Sequence, residues 1–370
     1  MSDWDVIVVG GGPGGSTAAW QLARAGRRVL VLEALKFPRV KLCAGWVTKK
    51  CMADLDLNPN DYPYTIQAFD AIFIGYDDKL KETRWHEPAS YGVIRKEFDQ
   101  YLLGRAEEAG AEVRQGVRVR AVDSRPDGVW IDTGDGWIVG EMVIGAGGYA
   151  CPVARALGGV SKEEVLVLTQ ESETEVGAAS LQKIAPHYGH PELFAESDFK
   201  GYAWYFTKGG FLNIGVGCVG KRPNVHARRD EFLESLRRSG RLPRDMELTP
   251  FKGHAYSIQR GKARRPSGER YLLVGDAAGL AQDFSGEGIG PAVRSACMAS
   301  DIAFDWLEGD SRLEAYARDL AEVYGRNDEG FVGKVVELLP DPLMRSIAKL
   351  MCGNAWLRRR VVLEGAFGIG

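Results

Sequence analysis

The chain has 370 residues, 45% of them hydrophobic and 26% charged, with a formal net charge of -3, which suits a globular protein with one large domain or two interleaved ones. That balance offers no basic face for nucleic acid, and six scattered cysteines without metal-ligand spacing argue against a zinc site or a disulfide framework. No stretch approaches the about eighteen apolar residues of a membrane span, and the first residues run straight into a strand, so a reduced, cytoplasmic protein without a signal peptide is expected.

Asp5-Val6-Ile7-Val8-Val9 is the continuous apolar run of a buried parallel strand. Gly10-Gly11-Gly12-Pro13-Gly14-Gly15 follows. A helix is expected over 16–25, with Ala18, Ala19, Leu22 and Ala23 on one side, then a strand over 28–32 closing on Glu33. Gly10 permits the tight turn, Gly12 lets backbone approach a pyrophosphate, and Gly15 lets the helix pack on the strand. The helix N-terminus behind Pro13 and Gly14 presents N–H groups to phosphates. Glu33, at the strand tip, is placed to accept hydrogen bonds from ribose hydroxyls. Strand, turn, helix, strand and terminal acid fall in register, which predicts an adenine dinucleotide site.

Further along, 68–75 and 81–85 read as strands, as does 116–123. Beyond residue 161 the pattern changes: 165–174 and 211–219 read as strands, around a helical or loop stretch near 181–193. Tyr202, Trp204 and Phe206 alternate, so in a strand they share one face. On periodicity alone such a stripe is core packing. Arg270 to Gly279 forms a strand ending in Gly275-Asp276. Ser285-Gly286-Glu287-Gly288-Ile289-Gly290-Pro291 then leads into a helix expected over 292–307. Asp276 suits the ribitol hydroxyls of a flavin. The turn over 286–289 aims helix N–H groups at the electron-rich edge of the isoalloxazine, favouring its reduced state. Together with the N-terminal turn, this selects FAD over NAD. No second Gly-x-Gly-x-x-Gly follows a strand, so the electron donor is NAD(P)H bound transiently or a ferredoxin-like protein. Residues 331–370 carry Arg358-Arg359-Arg360 among apolar positions. They read as helices capping the substrate domain with arginines on the wet face, or as amphipathic helices on a membrane surface; capping is favoured.

The chain resembles the geranylgeranyl reductase family of FAD-dependent oxidoreductases, in the flavoprotein hydroxylase-like superfamily. Lys41-Leu42-Cys43-Ala44-Gly45 stands where that family carries a Lys-x-Cys-Gly-Gly type loop beside the flavin. Ile94-Arg95 through Phe98-Asp99, with Leu102 and Leu103, matches its Arg-x-x-Phe-Asp helix start. Val143-Ile144-Gly145-Ala146-Gly147-Gly148, with Val153 and Arg155, matches the strand and turn closing its FAD domain. Gly201-Tyr202-Ala203-Trp204-Tyr205-Phe206, with Gly215-Val216-Gly217, matches its Tyr-x-Trp-x-Phe-Pro signature. These segments span 5–300 in the family's order. Thr207 replaces the signature's proline, and Trp46 stands where the family usually has glycine, which narrows the pocket near the flavin.

The resemblance implies an α/β fold, α+β overall: a Rossmann-type FAD-binding domain (1–61, 92–160 and 252–310) with an inserted mixed or antiparallel-sheet substrate domain (62–91 and 161–251) and a C-terminal helical region (311–370). It implies FAD contacts at Gly10, Gly12, Pro13, Gly14, Gly15, Glu33, Cys43, Ala44, Trp46, Arg95, Val119, Asp276, Gly288 and Ile289. Arg95 is expected on the phosphates and the Val119 backbone at the adenine. Tyr202, Trp204 and Trp46 would line the substrate cavity, and Cys43 would supply a proton, with Cys297 near it. The implied activity is reduction of carbon–carbon double bonds in a hydrophobic, prenyl-like small molecule, as in isoprenoid lipid biosynthesis. A flavin monooxygenase, hydroxylase or halogenase is the alternative, although the halogenase Trp-x-Trp-x-Ile-Pro signature is absent. A non-catalytic flavin-binding protein is a third reading.

Overall fold

The computed structural model describes residues 3–76, 79–160, 164–196, 201–219, 224–258, 264–325 and 341–370. Its first sheet has eight strands. Tyr271–Leu273, Trp137–Gly145, Trp4–Val9, Val29–Glu33 and Glu112–Gln115 lie side by side in that order and run parallel. The central members are apolar because the parallel sheet is covered on its faces. Val6, Ile7, Val8, Leu30 and Val31 are fully buried.

Helix Pro13–Arg24 packs against two others, Arg95–Glu108 and Ile289–Glu308. The first helix buries Ala18, Ala19 and Leu22, the face read from the sequence. The Ile289–Glu308 helix begins three residues earlier than expected, so the Gly286-to-Ile289 turn is also its cap. The segment 116–123 is not one strand. Gly116 turns at φ +78, and pairing resumes only at Ala121–Arg125, so Val119 lies in irregular backbone between strands.

The second sheet has seven strands, in the order Lys252–Ser257, Leu166–Glu175, Phe211–Val219, Gly201–Lys208, Glu192–Ala195, Ala71–Tyr76 and Lys79–Arg84. Its edge strand Lys252–Ser257 begins where the sequence placed the return to the dinucleotide domain. The single strand expected over 68–75 is two. Ile66–Phe69 belongs to a small third sheet with Trp46–Thr48 and Ser90–Val93, and the chain crosses at Asp70 into Ala71–Tyr76. The Asp70 carbonyl there accepts the N–H of Trp85 at 2.8 Å.

One face of the second sheet packs against helix Val225–Arg238, which buries Phe232 and Leu236. The opposite face turns inward to the first sheet. The registers put Tyr202, Gly217, Thr169 and His254 in one cross-strand row. Trp204, Gly215 and Glu171 form the next row, and Phe206, Asn213 and Glu173 the one after. Side chains directly opposite each other in a sheet share a face, so these three rows form one wall.

The C-terminal helix Asp341–Gly353 and the wide-turn segment Arg358–Ala366 close over the far end of that wall. Cys352, Leu363, Phe367 and Ile369 are buried there against Ile72, Ile74, Leu193 and Trp204. This is the capping arrangement. Residues 331–340, the start of the expected helical stretch, lie outside the described residues. Arg359 and Arg360 are on the wet face, but Arg358 is not. It is buried and donates to Thr83 Oγ1 at 2.9 Å and to the carbonyls of Cys352 and Glu82 at 2.8 and 2.9 Å.

Candidate active site

A continuous cavity of about 1260 Å³ runs from the glycine turn, between the two sheets, to the C-terminal cap. At its first end, Gly15 cannot carry a side chain: a Cβ would lie 1.8 Å from the Gly10 carbonyl oxygen. This close approach of helix to strand is the packing role read from the sequence. Gly10, Gly12, Pro13 and Gly14 line the cavity, and no side chain caps the helix they open. Its first N–H groups therefore face the cavity as an anion site. Glu33 Oε2 accepts the N–H of Gly11 at 2.7 Å, and Oε1 that of Leu35 at 2.9 Å.

Two cations at this end were not picked out in the sequence. Arg39 Nη2 would lie 3.5 Å from a Cβ on Gly12, and Arg39 pairs with Asp99 at 3.2 Å; Arg118 also lines the cavity. Arg95, expected at the phosphates, reaches the cavity, but its fork is turned to Asp99 in two bonds of 2.8 Å, with the Cys43 thiol as a further partner. Val119 does not line the cavity; its neighbour Arg118 does.

Midway, Asp276 is half-buried beside Gly288, where a Cβ would lie 3.3 Å from Oδ1. Among the described residues its carboxylate makes no protein hydrogen bond, and burial raises its pKa despite Lys41 nearby. The N–H groups of Gly288 and Ile289 likewise have no acceptor among the described residues. Gly290 N–H donates to Glu287 Oε1 at 2.7 Å. A half-buried acceptor and adjacent free donors, facing one cavity, fit a hydroxyl-bearing chain ending in a ring with carbonyl acceptors. FAD is such a molecule. Lys41 Nζ lies 2.9 Å from His254 Nε2. Burial, then the charges of Lys41 and Arg95, hold His254 down at about 4, so the imidazole is neutral and accepts from the ammonium.

Beyond Asp276 lies the loop of Cys43, Ala44 and Gly45, held from the sheet wall by polar side chains. Lys208, fully buried, donates to the carbonyls of Ala44 and Val93 at 2.9 and 3.0 Å and to Glu173 Oε1 at 2.6 Å. Asn213 Nδ2 reaches the Cys43 carbonyl at 3.4 Å. Gly45 has φ +68, and a Cβ on it would stand 2.1 Å from the Val93 carbonyl, so this loop position requires glycine. Thr207, in place of the expected proline, stays in the strand ladder opposite Leu212 and accepts the N–H of Gly189 at 2.7 Å. Cys297 does not line the cavity, but it belongs with Cys51 to the apolar cluster against which Cys43 packs, and its Sγ lies 3.2 Å from Gln21 Nε2. All six cysteines are free thiols.

The last stretch is apolar. Tyr202 and Trp204 line it, whereas Phe206 sits behind, edge-on to Trp46 at 5.3 Å. Trp46 also meets Phe367 from the chain's end at 5.6 Å. Gly215 lets the Trp204 indole lie flat across the sheet, because a Cβ there would be 2.1 Å from Cζ2. Ile347, Met351, Val362, Ala366 and Ile369 complete the wall. None of these C-terminal residues stood out in the sequence, since they form no motif.

A dinucleotide cradle opening into an aromatic-walled apolar chamber defines a flavin-dependent oxidoreductase. The family model described as FAD binding domain matches residues 3–325. The digeranylgeranylglycerophospholipid reductase 1 of Methanopyrus kandleri is 28% identical, with 94% of each chain covered. The menaquinone reductase of Mycobacterium tuberculosis is 31% identical over 87% of this chain and 81% of its own length. The solved structure of a geranylgeranyl bacteriochlorophyll reductase-like protein from Thermoplasma acidophilum shares the fold, with a TM-score of 0.79 at 22% identity over 96% of this chain and 92% of that one. This chain belongs to the FAD-binding family of reductases that includes those relatives. It is an FAD-dependent oxidoreductase, as its sequence motifs implied.

Proposed function

We propose that this enzyme saturates carbon–carbon double bonds in the prenyl chain of a lipid or lipoquinone, with the isoprenoid tail held in the apolar chamber and the reacting bond beside the Cys43 loop. The observation that carries this reading is the chamber itself, with Tyr202, Trp204 and Trp46 on the wall and apolar C-terminal residues closing it. Such a wall solvates a hydrocarbon and excludes water from the reacting centre. The relatives' names, two of which refer to lipid and quinone reduction, support the same class.

In this reading Gly10, Gly12, Pro13, Gly14 and the helix N-terminus hold the pyrophosphate of FAD, with Arg39 and Arg118 adding charge. Gly15 serves by packing. Glu33 meets the adenosine ribose, Asp276 the ribityl hydroxyls, and Gly288 and Ile289 the pyrimidine edge of the ring. Reduced flavin supplies the hydride. Cys43, Ala44 and Trp46 flank the reacting end. Electrons arrive from NAD(P)H bound transiently or from a ferredoxin-like protein.

Among the described residues no helix is long and apolar enough to cross a membrane. Leu350 and Trp356, 58% and 66% exposed, belong to the same C-terminal cap whose Met351 and Val361 line the chamber, which supports contact of a cytoplasmic enzyme with a membrane surface through that cap. Flotation with anionic liposomes should carry the protein upward, and Trp356→Ser should reduce that; no association with any liposome removes the membrane contact.

The test of the reaction is anaerobic reduction of the bound flavin, followed by addition of prenylated lipids and menaquinones. Reoxidation without oxygen by one of them is expected. Reoxidation by oxygen alone, with a flavin hydroperoxide formed in the presence of an aromatic substrate, would replace this reading with a hydroxylase.

A further inference from the structure

Adding hydrogen across a double bond takes a hydride and a proton, and the source of the proton is not fixed by the cofactor. The resemblance offers Cys43. In the structure its Sγ accepts the N–H of Gly45 at 3.4 Å, with the charge of Arg95 nearby. A proton donor must reach the chamber and hold its proton at working pH.

Glu171 meets that need. It sits at the centre of the sheet wall, level with Gly215 on one side and Lys252 on the other, and lines the cavity while only 3% exposed. Its Oε1 accepts from Asn213 Nδ2 at 3.0 Å, and the backbone N–H of Cys43 is a second partner. Asn213 is fixed in turn by Trp204, whose Nε1 donates to Oδ1 at 2.7 Å. Because Gly215 places nothing between them, the carboxyl, the Trp204 indole and the Cys43 loop converge on one spot of the chamber wall.

We propose that Glu171 is the proton donor of the reduction, an assignment that rests on the double-bond chemistry proposed above. Burial pushes its carboxyl up to about 7, against the bonds from Asn213 and Cys43 and the charge of Lys208, with Glu173 adding to the rise. Its charged and titratable surroundings are Lys208 and Glu173 on its own sheet, Lys252 and His254 on the edge strand, and Cys43, Lys41 and Arg95 from the facing loop and helix. Of other carboxylates that line the cavity, Glu33 accepts two backbone N–H groups at the glycine turn, Glu287 accepts that of Gly290, Glu196 pairs with Arg228, and Asp276 lies midway beside Gly288. In the step, the π bond is lost, the hydride from reduced flavin forms one new C–H bond, and the O–H bond of Glu171 breaks as its proton forms the other. The carboxylate left behind is held by the Asn213 amide, favoured by the charge of Lys208, and takes a proton back from water. Two electrons, as a hydride from NAD(P)H or singly from a ferredoxin-like protein, recharge the cofactor.

The test uses FAD-loaded protein reduced anaerobically with dithionite and mixed with a prenylated quinone or lipid. Glu171→Gln keeps a carbonyl oxygen for the Asn213 and Cys43 bonds, so FAD content is expected to match the wild type. Reoxidation should slow by at least about 100-fold, and the wild type's loss of rate above about pH 7 should disappear. Cys43→Ser should keep that pH limb. A second readout needs no substrate: the infrared carbonyl band of a protonated acid, taken as wild type minus E171Q, should titrate near neutral pH. A rate within about threefold of the wild type, or no such infrared band, overturns Glu171's role alone. If the band titrates as stated and no prenyl compound reoxidises the wild type, the reaction class falls and the proton-donor role with it.

Discussion

The two walls of the cavity solve opposite problems. The glycine turn offers backbone: Gly10, Gly12 and Gly14 line the cavity without side chains, and Gly15 lets the following helix close on the strand. The second sheet offers side chains. Its inward rows set Tyr202 and Trp204 beside Glu171 and Asn213, so an apolar chamber rests on a buried polar network. A backbone site tolerates almost no change in shape. A side-chain site can be retuned one residue at a time, which suits the part of an enzyme that meets a variable substrate.

The contrast can be broken most forcefully at the glycine turn. Gly15→Val puts a Cβ 1.8 Å from the Gly10 carbonyl oxygen and two further carbons beyond it. Loss of FAD and of most folded protein is expected, measured by flavin absorbance and thermal unfolding. Next is Lys208→Met, which leaves Glu173 and the carbonyls of Ala44 and Val93 without their shared donor. Removing one partner of a buried ion pair costs about 3–5 kcal/mol, so urea unfolding should shift by that order. Asp276→Asn should weaken FAD binding by about 10- to 100-fold, read by equilibrium dialysis, with little change in fold. Trp204→Ala should damage turnover and leave flavin bound; loss of flavin instead would make the indole structural.

A further effect expected is a pH dependence of stability. Glu171 and Glu287 are both held at about 7 by burial, against an ordinary glutamate near 4.3 in the unfolded chain. Between those values the folded chain binds more protons than the unfolded one, so stability falls as pH rises through that window. Urea unfolding near pH 5 and near pH 8 should show the difference, and it should narrow in E171Q. An unchanged difference would mean that the sheet wall is wetter than described.

The cradle was legible in the sequence because its parts are contiguous: six residues make the turn, and Gly275-Asp276 is a local motif. The aromatic row was legible as a shared face through the alternation of Tyr202, Trp204 and Phe206. The polar network was not. Thr169, Glu171 and Glu173 alternate along a strand as a solvated face would, and only the registers with Asn213 and Trp204 turn that face inward. Arg95 carried a motif, but its bidentate bond to Asp99 one helical turn on depends on orientation. The C-terminal wall had no periodic signal, because Arg358–Ala366 winds in wide turns and places Phe367 and Ile369 by shape alone. Val119 was misplaced because a β-rich stretch hid the turn at Gly116.

The proposed reaction requires FAD held in the cradle and a prenyl chain held in the chamber to meet beside the Cys43 loop. The most direct measurement is mass spectrometry of the lipid after anaerobic turnover with reduced enzyme and a prenylated quinone or glycerolipid. The expected product carries an added hydrogen pair for each bond saturated and no oxygen. A lipid recovered unchanged by flavin-replete, fully reducible protein, or one that has gained oxygen once air is admitted, would contradict it.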